Sequence, residues 1–181
     1  MSQVTIVATL IGEDRPGLVE QIAEQVNAHG GNWVESRMAH LAGQFAGILR
    51  VEVEEAQVEA LQAALAKLKA AGLDTIVHAE SSATTQTAEV AQLEAPSLQL
   101  ELVGHDRPGI VREVTSVLAR LGVNVEELNT ERTAAANTGQ PLFNAAASLR
   151  LPAGVSRGTL QAALEEVAGD LMVDIQLVAS E

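Results

Sequence analysis

The spacing of apolar residues changes along the chain between a strand pattern and a helix pattern. Leu98, Leu100 and Leu102 alternate with Gln99 and Glu101, as in a strand with one buried face. Shortly before the middle of the chain, apolar residues recur at helical spacing at Val58, Leu61, Leu65 and Leu68. Both patterns occur in each half of the chain, so sheet and helix are expected to share one core in each half.

The first half is predicted to contain six elements in the order β-α-β-β-α-β. Its strands are expected at residues 4–11, 33–40, 45–54 and 74–79, with a turn at Ala42-Gly43. Its first helix is expected to carry Leu18, Val19, Ile22, Ala23 and Val26 on one face, and its second helix is expected to span residues 57–71. The second half is predicted to repeat this order, with later elements at residues 125–133, 142–151, 157–168 and 172–178. Gly30-Gly31 and Gly122 follow the first helix of each half, where a left-handed residue is often needed.

The two halves also repeat in sequence. The segment Gly-Glu-Asp-Arg-Pro-Gly-Leu-Val at residues 12–19 returns as Gly-His-Asp-Arg-Pro-Gly-Ile-Val at residues 104–111, an offset of 92. The segment Leu-Gln-Ala-Ala-Leu at residues 61–65 recurs at residues 160–164, an offset of 99. Because this offset is larger than 92, the second copy is longer between the two segments. Its extra length is expected near residues 134–141 and 152–156. The prediction is an α+β chain of two ferredoxin-like domains, at residues 1–80 and 96–181, joined by a linker at 81–95. Each domain is expected to have a four-stranded antiparallel sheet with both helices on one face.

The repeated loop has the composition of a strand-to-helix turn. Asp14 and Asp106 are predicted to cap the following helices, while Pro16 and Pro108 are expected in the first helical turn. A helix N-terminus attracts anions, so each loop could hold the carboxylate of a small ligand near glycine backbone. The alternative is a well-capped turn with no ligand.

These motifs resemble those of ACT domains. The resemblance rests on Gly-x-Asp-Arg-Pro-Gly-[Leu/Ile]-Val, on Gly-x-Asn after the first helix, and on the β-α-β-β-α-β order. Two such units are similar to the glycine cleavage system transcriptional repressor family. Gly-Gln-Pro-Leu-Phe at residues 139–143 and Leu-Met-Val-Asp-Ile at residues 171–175 are similar to the second half of that family.

The resemblance implies that the chain binds an amino acid or a similar effector. ACT domains do so between two units, near the first strand-to-helix loop and the start of the second strand. The implied ligand-binding residues are Gly12, Glu13, Asp14 and Asn32 in the first copy and Gly104, His105, Asp106 and Asn124 in the second. The asparagine amide offers both donors and an acceptor, although it could instead bond its own backbone. Because Glu13 corresponds to His105, the two sites are not expected to be equivalent.

Composition narrows the function further. The net charge is -13, shared almost evenly by the two halves, which disfavours direct binding to nucleic acid or to an anionic membrane. Cysteine is absent, the four histidines show no metal-ligand spacing, and neither a metal nor a cofactor is predicted. With no signal peptide and no apolar run of membrane-spanning length in the sequence, the expected location is the cytoplasm.

The leading hypothesis is a non-catalytic regulator that senses glycine or another amino acid. The resemblance implies that it acts on transcription through a protein partner, such as a transcription activator, and a homodimer is a further expected assembly. The alternative is a protein-interaction module built from paired ACT domains that needs no ligand. An enzyme is disfavoured because the two repeats occupy nearly the whole sequence, although ACT units also accompany catalytic domains such as a formyltetrahydrofolate hydrolase.

Overall fold

A computed structural model shows two compact units, residues 1–88 and 89–181, referred to below as unit 1 and unit 2. It describes residues 2–79, 97–136 and 138–179. The predicted linker at residues 81–95 lies outside the described residues, so this part of the domain prediction stays a prediction.

Each unit follows the predicted order of elements. Unit 1 consists of β1 (Gln3–Glu13), α1 (Leu18–Ala28), β2 (Asn32–Leu41), β3 (Gln44–Glu54), α2 (Val58–Lys67) and β4 (Leu73–Ala79), with short 3-10 turns at Glu55–Gln57 and Leu68–Ala71. Unit 2 consists of β5 (Ser97–His105), α3 (Ile110–Arg120), β6 (Asn124–Ala134), β7 (Pro141–Arg150), α4 (Arg157–Leu171) and β8 (Val173–Ala179).

The two sheets share one topology. The strand order is β2-β3-β1-β4 in unit 1 and β6-β7-β5-β8 in unit 2, and every pairing is antiparallel. The first strand of each unit is therefore central, and β2 and β6 are edge strands. The α+β prediction of two ferredoxin-like units is confirmed.

Alternation along the central strands explains where the cores lie. Ile6, Ala8 and Leu10 of β1 are fully buried, whereas Thr9 and Ile11 between and beyond them are exposed. The helix α1 buries Leu18 and Ile22 against this face. One face of each sheet thus carries the helices, and the other face is open within the unit.

The extra length of the second copy lies mainly where it was expected. The strands β2 and β3 are joined by residues 42–43, whereas β6 and β7 are joined by residues 135–140. Gly30 and Gly122 adopt the left-handed conformation predicted after the first helices, each with φ of 67°. The helix α4 ends at Leu171 and extends past the predicted boundary at residue 168.

The predicted helix caps are wrong. The residue before α1 is Gly17 (φ 87°) and the residue before α3 is Gly109 (φ 99°), and neither helix has a side-chain cap. Asp14 and Asp106 lie further upstream, and Pro16 and Pro108 precede the helices instead of lying in their first turns. The reason is the left-handed glycine, which bends the chain just before the helix and separates the aspartate from the first-turn N–H groups.

Candidate functional site

The loop between β1 and α1 is held to the hairpin that joins β2 and β3. The backbone N–H of Asp14 donates to the carbonyl of Gly43 at 2.9 Å. The Asp14 carboxylate lies 3.5 Å from His40 Nε2, and that same nitrogen is 3.3 Å from the N–H of Gly43. This loop is thus braced by the turn of the neighbouring hairpin.

Unit 2 repeats this arrangement with an arginine in place of the histidine. The N–H of Asp106 donates to the carbonyl of Pro141 at 3.0 Å, and Arg132 Nε lies 2.8 Å from the Asp106 carboxylate. Arg132 is the counterpart of His40 at the offset of 92 found in the sequence. Sequence reasoning missed both partners of the aspartates, and the only signal for them in the sequence is that the offset of 92 relates Arg132 to His40.

The arginine of the motif ties the loop to the second helical segment. Arg15 Nη2 donates to the carbonyl of Ala71 at 2.8 Å, and Arg107 Nη1 donates to the carbonyl of Asp170 at 3.2 Å. Carbonyl groups at the end of a helical segment lack intrahelical donors, so a guanidinium is well matched to them. The arginine therefore has a structural partner in both copies.

The first glycine of the motif is needed for packing between strands. A Cβ on Gly12 would clash with the carbonyl oxygen of Gly72 and would lie 3.2 Å from Leu73 Cα. A Cβ on Gly104 would lie 2.9 Å from Val173 Cα. The absence of a side chain at Gly12 and Gly104 is thus explained by the close approach of β4 and β8, without any ligand.

The remaining candidates divide between two locations. Glu13 pairs in register with Gln44 and His105 with Leu142; both are exposed, and strand alternation places them on the open face of the sheet. Asn32 begins β2, and its amide lies 3.5 Å from the carboxylate of Glu52.

The asparagines lie at the end of the sheet opposite the loops. Asn32 pairs with Glu52 on β3, and Glu52 pairs with Thr5 on β1. The loop begins after Glu13, which lies about 26 Å from Thr5 along β1 at about 3.3 Å per residue. In unit 2, Asn124 pairs with Arg150, which pairs with Ser97, again at the far end of the central strand. One unit alone does not bring its loop and its asparagine together.

The backbone N–H groups at the start of α1 and α3 are the groups of the loops best suited to bind a ligand. In α1, the first N–H group that bonds a carbonyl one turn earlier is that of Gln21, which donates to Gly17. In α3, it is that of Glu113, which donates to Gly109. The preceding N–H groups of each first turn have no acceptor within an ideal helix, and no side chain caps them. Such groups suit a carboxylate.

Comparison with known proteins assigns the family. A family model described as ACT domain matches residues 4–79, and a second ACT model matches residues 98–139. The chain belongs to the ACT-domain family. It is a tandem ACT protein, and membership in this family supports a regulatory, amino-acid-sensing role.

Relatives of the tandem ACT protein include two repressors. The glycine cleavage system transcriptional repressors of Escherichia coli (strain K12) and Shigella flexneri are each 24% identical to it over 170 residues, covering 94% of this chain and 87% of theirs. This agrees with the resemblance drawn from the motifs.

Two solved structures share the fold over the whole chain. An unknown protein from Galdieria sulphuraria is 28% identical with a TM-score of 0.85, covering 99% of this chain and 100% of that one. A structure provisionally assigned as a glycine cleavage system transcriptional repressor is 21% identical with a TM-score of 0.72, covering 100% of this chain and 99% of that one.

Other classes of site find no support among the described residues. Within residues 2–79, 97–136 and 138–179, no three metal-ligating side chains cluster. In the same ranges, no helix has the length and apolar character required to cross a bilayer.

Proposed function

We propose that the tandem ACT protein is a non-catalytic cytoplasmic regulator that binds a free amino acid at its strand-to-helix loops. The observation that carries the proposal is the duplicated loop: both copies are braced to a hairpin, and both precede a helix without a side-chain cap. A braced loop keeps its binding groups in place before the ligand arrives, which lowers the entropy cost of binding.

The two charged ends of an amino acid match the two kinds of group at each loop. The ligand carboxylate would accept hydrogen bonds from the first-turn N–H groups of α1 or α3. The ligand ammonium would lie near the carboxylate of Asp14 or Asp106, whose side chains are 39% and 30% exposed. In unit 2 the ammonium would share Asp106 with Arg132.

Asn32 and Asn124 would complete such a site only from another ACT unit, and a second molecule provides one. They lie at the sheet end opposite the loop of their own unit, but an antiparallel pairing of edge strands exchanges the two ends. We therefore propose a homodimer in which the asparagine of one chain approaches the loop of the other. The asparagine amide would then donate to the ligand carboxylate and accept from its ammonium.

The downstream step we propose is control of transcription through a protein partner, such as a transcription activator. The similarity to glycine cleavage system repressors supports this step, with glycine as the first effector to test. A net charge of -13 makes direct contact with DNA phosphates unfavourable. Effector binding would favour one arrangement of the dimer over another and would thereby change the affinity for the partner protein. By linkage, partner binding would change the affinity for the effector by the same factor.

Calorimetric titration of the full chain with the common amino acids tests the binding step. We expect at least one amino acid to bind, and we expect Asp14→Asn together with Asp106→Asn to weaken it at least tenfold. Asp174→Asn, an exposed aspartate on β8, is the matched control and should bind as the unaltered chain does. If no amino acid gives heat or a thermal shift, the effector proposal is wrong.

The open sheet face of unit 1 favours a second candidate, a protein-interaction module that needs no ligand. Ile11, Ile48 and Ile76 are 53%, 55% and 61% exposed, and Thr9 pairs in register with both Ile48 and Ile76. A contiguous apolar surface of this kind is typical of protein contacts. Partner capture that is unchanged by any amino acid, and that is lost in Ile48→Ser, would favour this candidate over the sensor.

A further inference from the structure

The braces of the two loops end on different kinds of residue. In unit 1 the backbone N–H of Asp14 donates to the carbonyl of Gly43, and in unit 2 that of Asp106 donates to the carbonyl of Pro141. Gly43 and Pro141 are equivalent, since the residue after each of them pairs in register with the residue just before the aspartate. The glycine also has an N–H group, whereas the proline has none.

The side chain beside each brace matches this difference. The N–H of Gly43 donates to His40 Nε2 at 3.3 Å, so a neutral His40 carries its proton on Nδ1. Arg132 has the equivalent position in unit 2, and a guanidinium cannot accept a hydrogen bond. No acceptor is needed there, because Pro141 has no N–H. An acceptor thus lies beside the glycine and a permanent donor lies near the proline.

The same nitrogen of His40 has a second, competing partner. The Asp14 carboxylate lies 3.5 Å from Nε2. A protonated Nε2 can pair with this carboxylate, but it can no longer accept from Gly43. Histidine changes its charge between about pH 5 and about pH 8, whereas arginine stays charged. The unit 1 brace therefore has two states that a proton exchanges, and the unit 2 brace has one.

The Asp14 carboxylate is the charged group that meets His40 at this end of β2. His40 lies on the helix-bearing face of the sheet, because its register partner on β3 is the buried Phe45. The hairpin residues 41–44 carry no charge. The other charged residues at the end of β1, in the loop and in the first turn of α1 are Glu13, on the open face, Arg15, bonded to the carbonyl of Ala71, and Glu20.

We propose that protonation of His40 weakens amino-acid binding at the unit 1 loop, whereas Arg132 makes the unit 2 loop independent of pH. This proposal rests on the proposed function, in which the Asp14 carboxylate receives the ligand ammonium. When His40 is neutral, Nε2 accepts from Gly43 and the charge of Asp14 is available to the ligand. When His40 is protonated, its charge neutralises Asp14 and competes with the ammonium, so the affinity falls as the pH falls.

An NMR titration of the ligand-free chain between about pH 5 and about pH 8 tests the switch itself. We expect the Gly43 amide signal to move with the same midpoint as the His40 ring. In His40→Gln the side-chain carbonyl can still accept but does not titrate, so the Gly43 signal should stay constant. His78→Gln, at an exposed histidine of β4, is the matched control and should leave the movement intact. If the Gly43 signal does not follow the His40 ring, the proposal is wrong.

Calorimetric titration with glycine and the other common amino acids tests the effect on binding. In Asp106→Asn, which leaves the unit 1 site, the affinity should fall at least about threefold between about pH 8 and about pH 5.5, as expected for one nearby surface charge. In Asp14→Asn, which leaves the unit 2 site, it should stay constant, and adding Arg132→His should make it depend on pH in the same direction.

The outcomes separate this proposal from the proposed function, with circular dichroism at both pH values as the check on folding. If amino acids bind but the affinity of Asp106→Asn is the same at both pH values, the pH proposal is wrong while the proposed function stands. The same holds if Asp14→Asn alone shows an equal dependence on pH. If no amino acid binds at either pH, both are wrong.

Discussion

Replacing Gly12 by alanine separates a packing role for this residue from a ligand-binding role. Gly12 pairs in register with Leu73, immediately after Gly72, which has φ of 82°. A Cβ at position 12 would meet the backbone of Gly72 and Leu73, and backbone atoms move less easily than the end of a side chain. We therefore expect β1 and β4 to separate locally in Gly12→Ala.

The expected cost follows from the energetics of overpacking. Forcing an extra methyl group into a well-packed region costs about 1–3 kcal/mol, and here the obstacle is backbone, so about 2–3 kcal/mol is expected. For a unit of this size, that loss corresponds to a fall in Tm of roughly 8–24 °C. Gly43→Ala is the comparison, because Gly43 has φ of 79° and nothing lies within 4 Å of the added Cβ. The only loss of stability expected there comes from holding an alanine in the left-handed conformation, about 1–2 kcal/mol.

The assay is urea unfolding followed by tryptophan fluorescence. Trp33 is the only tryptophan of the chain, so its emission reports on unit 1. We expect the urea midpoint of Gly12→Ala to fall below that of Gly43→Ala, with both below the unaltered chain. If Gly12→Ala unfolds at the same urea concentration as the unaltered chain, the packing explanation is refuted, and the glycine must be explained by the ligand instead.

Three further predictions concern single interactions. Ser156 caps α4 by accepting from the N–H of Thr159 at 3.1 Å, so Ser156→Ala should cost about 1 kcal/mol of stability while Ser156→Asp retains most of it, measured by urea unfolding followed by circular dichroism. Lys69 Nζ donates a hydrogen bond to the Asp74 carboxylate, and this bond and then the charge of Asp74 raise the pKa of Lys69 above its ordinary value of 10.5. The contribution of this pair to stability is lost as the pH rises through the raised pKa of Lys69. Asp74→Asn should therefore lower the pKa of Lys69 in an NMR titration, and an unchanged pKa would contradict the pairing. Arg132→Ala should cost less than about 1 kcal/mol of stability because the pair with Asp106 is partly exposed, yet it should change amino-acid affinity at unit 2; an unchanged affinity would show that the brace is not part of the site.

Much of the fold could be predicted because local and periodic signals agree. Leu98, Leu100 and Leu102 indicated a strand by alternation alone, and all three are buried in unit 2. Gly30 and Gly122 indicated where the first helices end, since a left-handed residue favours glycine. The predicted start of those helices was wrong because aspartate is a common capping residue. In the structure, the carboxylates of Asp14 and Asp106 lie instead beside His40 on β2 and Arg132 on β6.

The sequence by itself determined the duplication, the order of elements and the loop motif, because repeats and hydrophobic periods are local properties that one chain displays in full. Only the tertiary structure showed that Gly12 makes room for a neighbouring strand, and that Asn32 lies at the far end of the sheet from its own loop. Each of these facts depends on which residues meet across strands and helices that are distant in sequence. That choice is made by register and packing, and no local pattern specifies it.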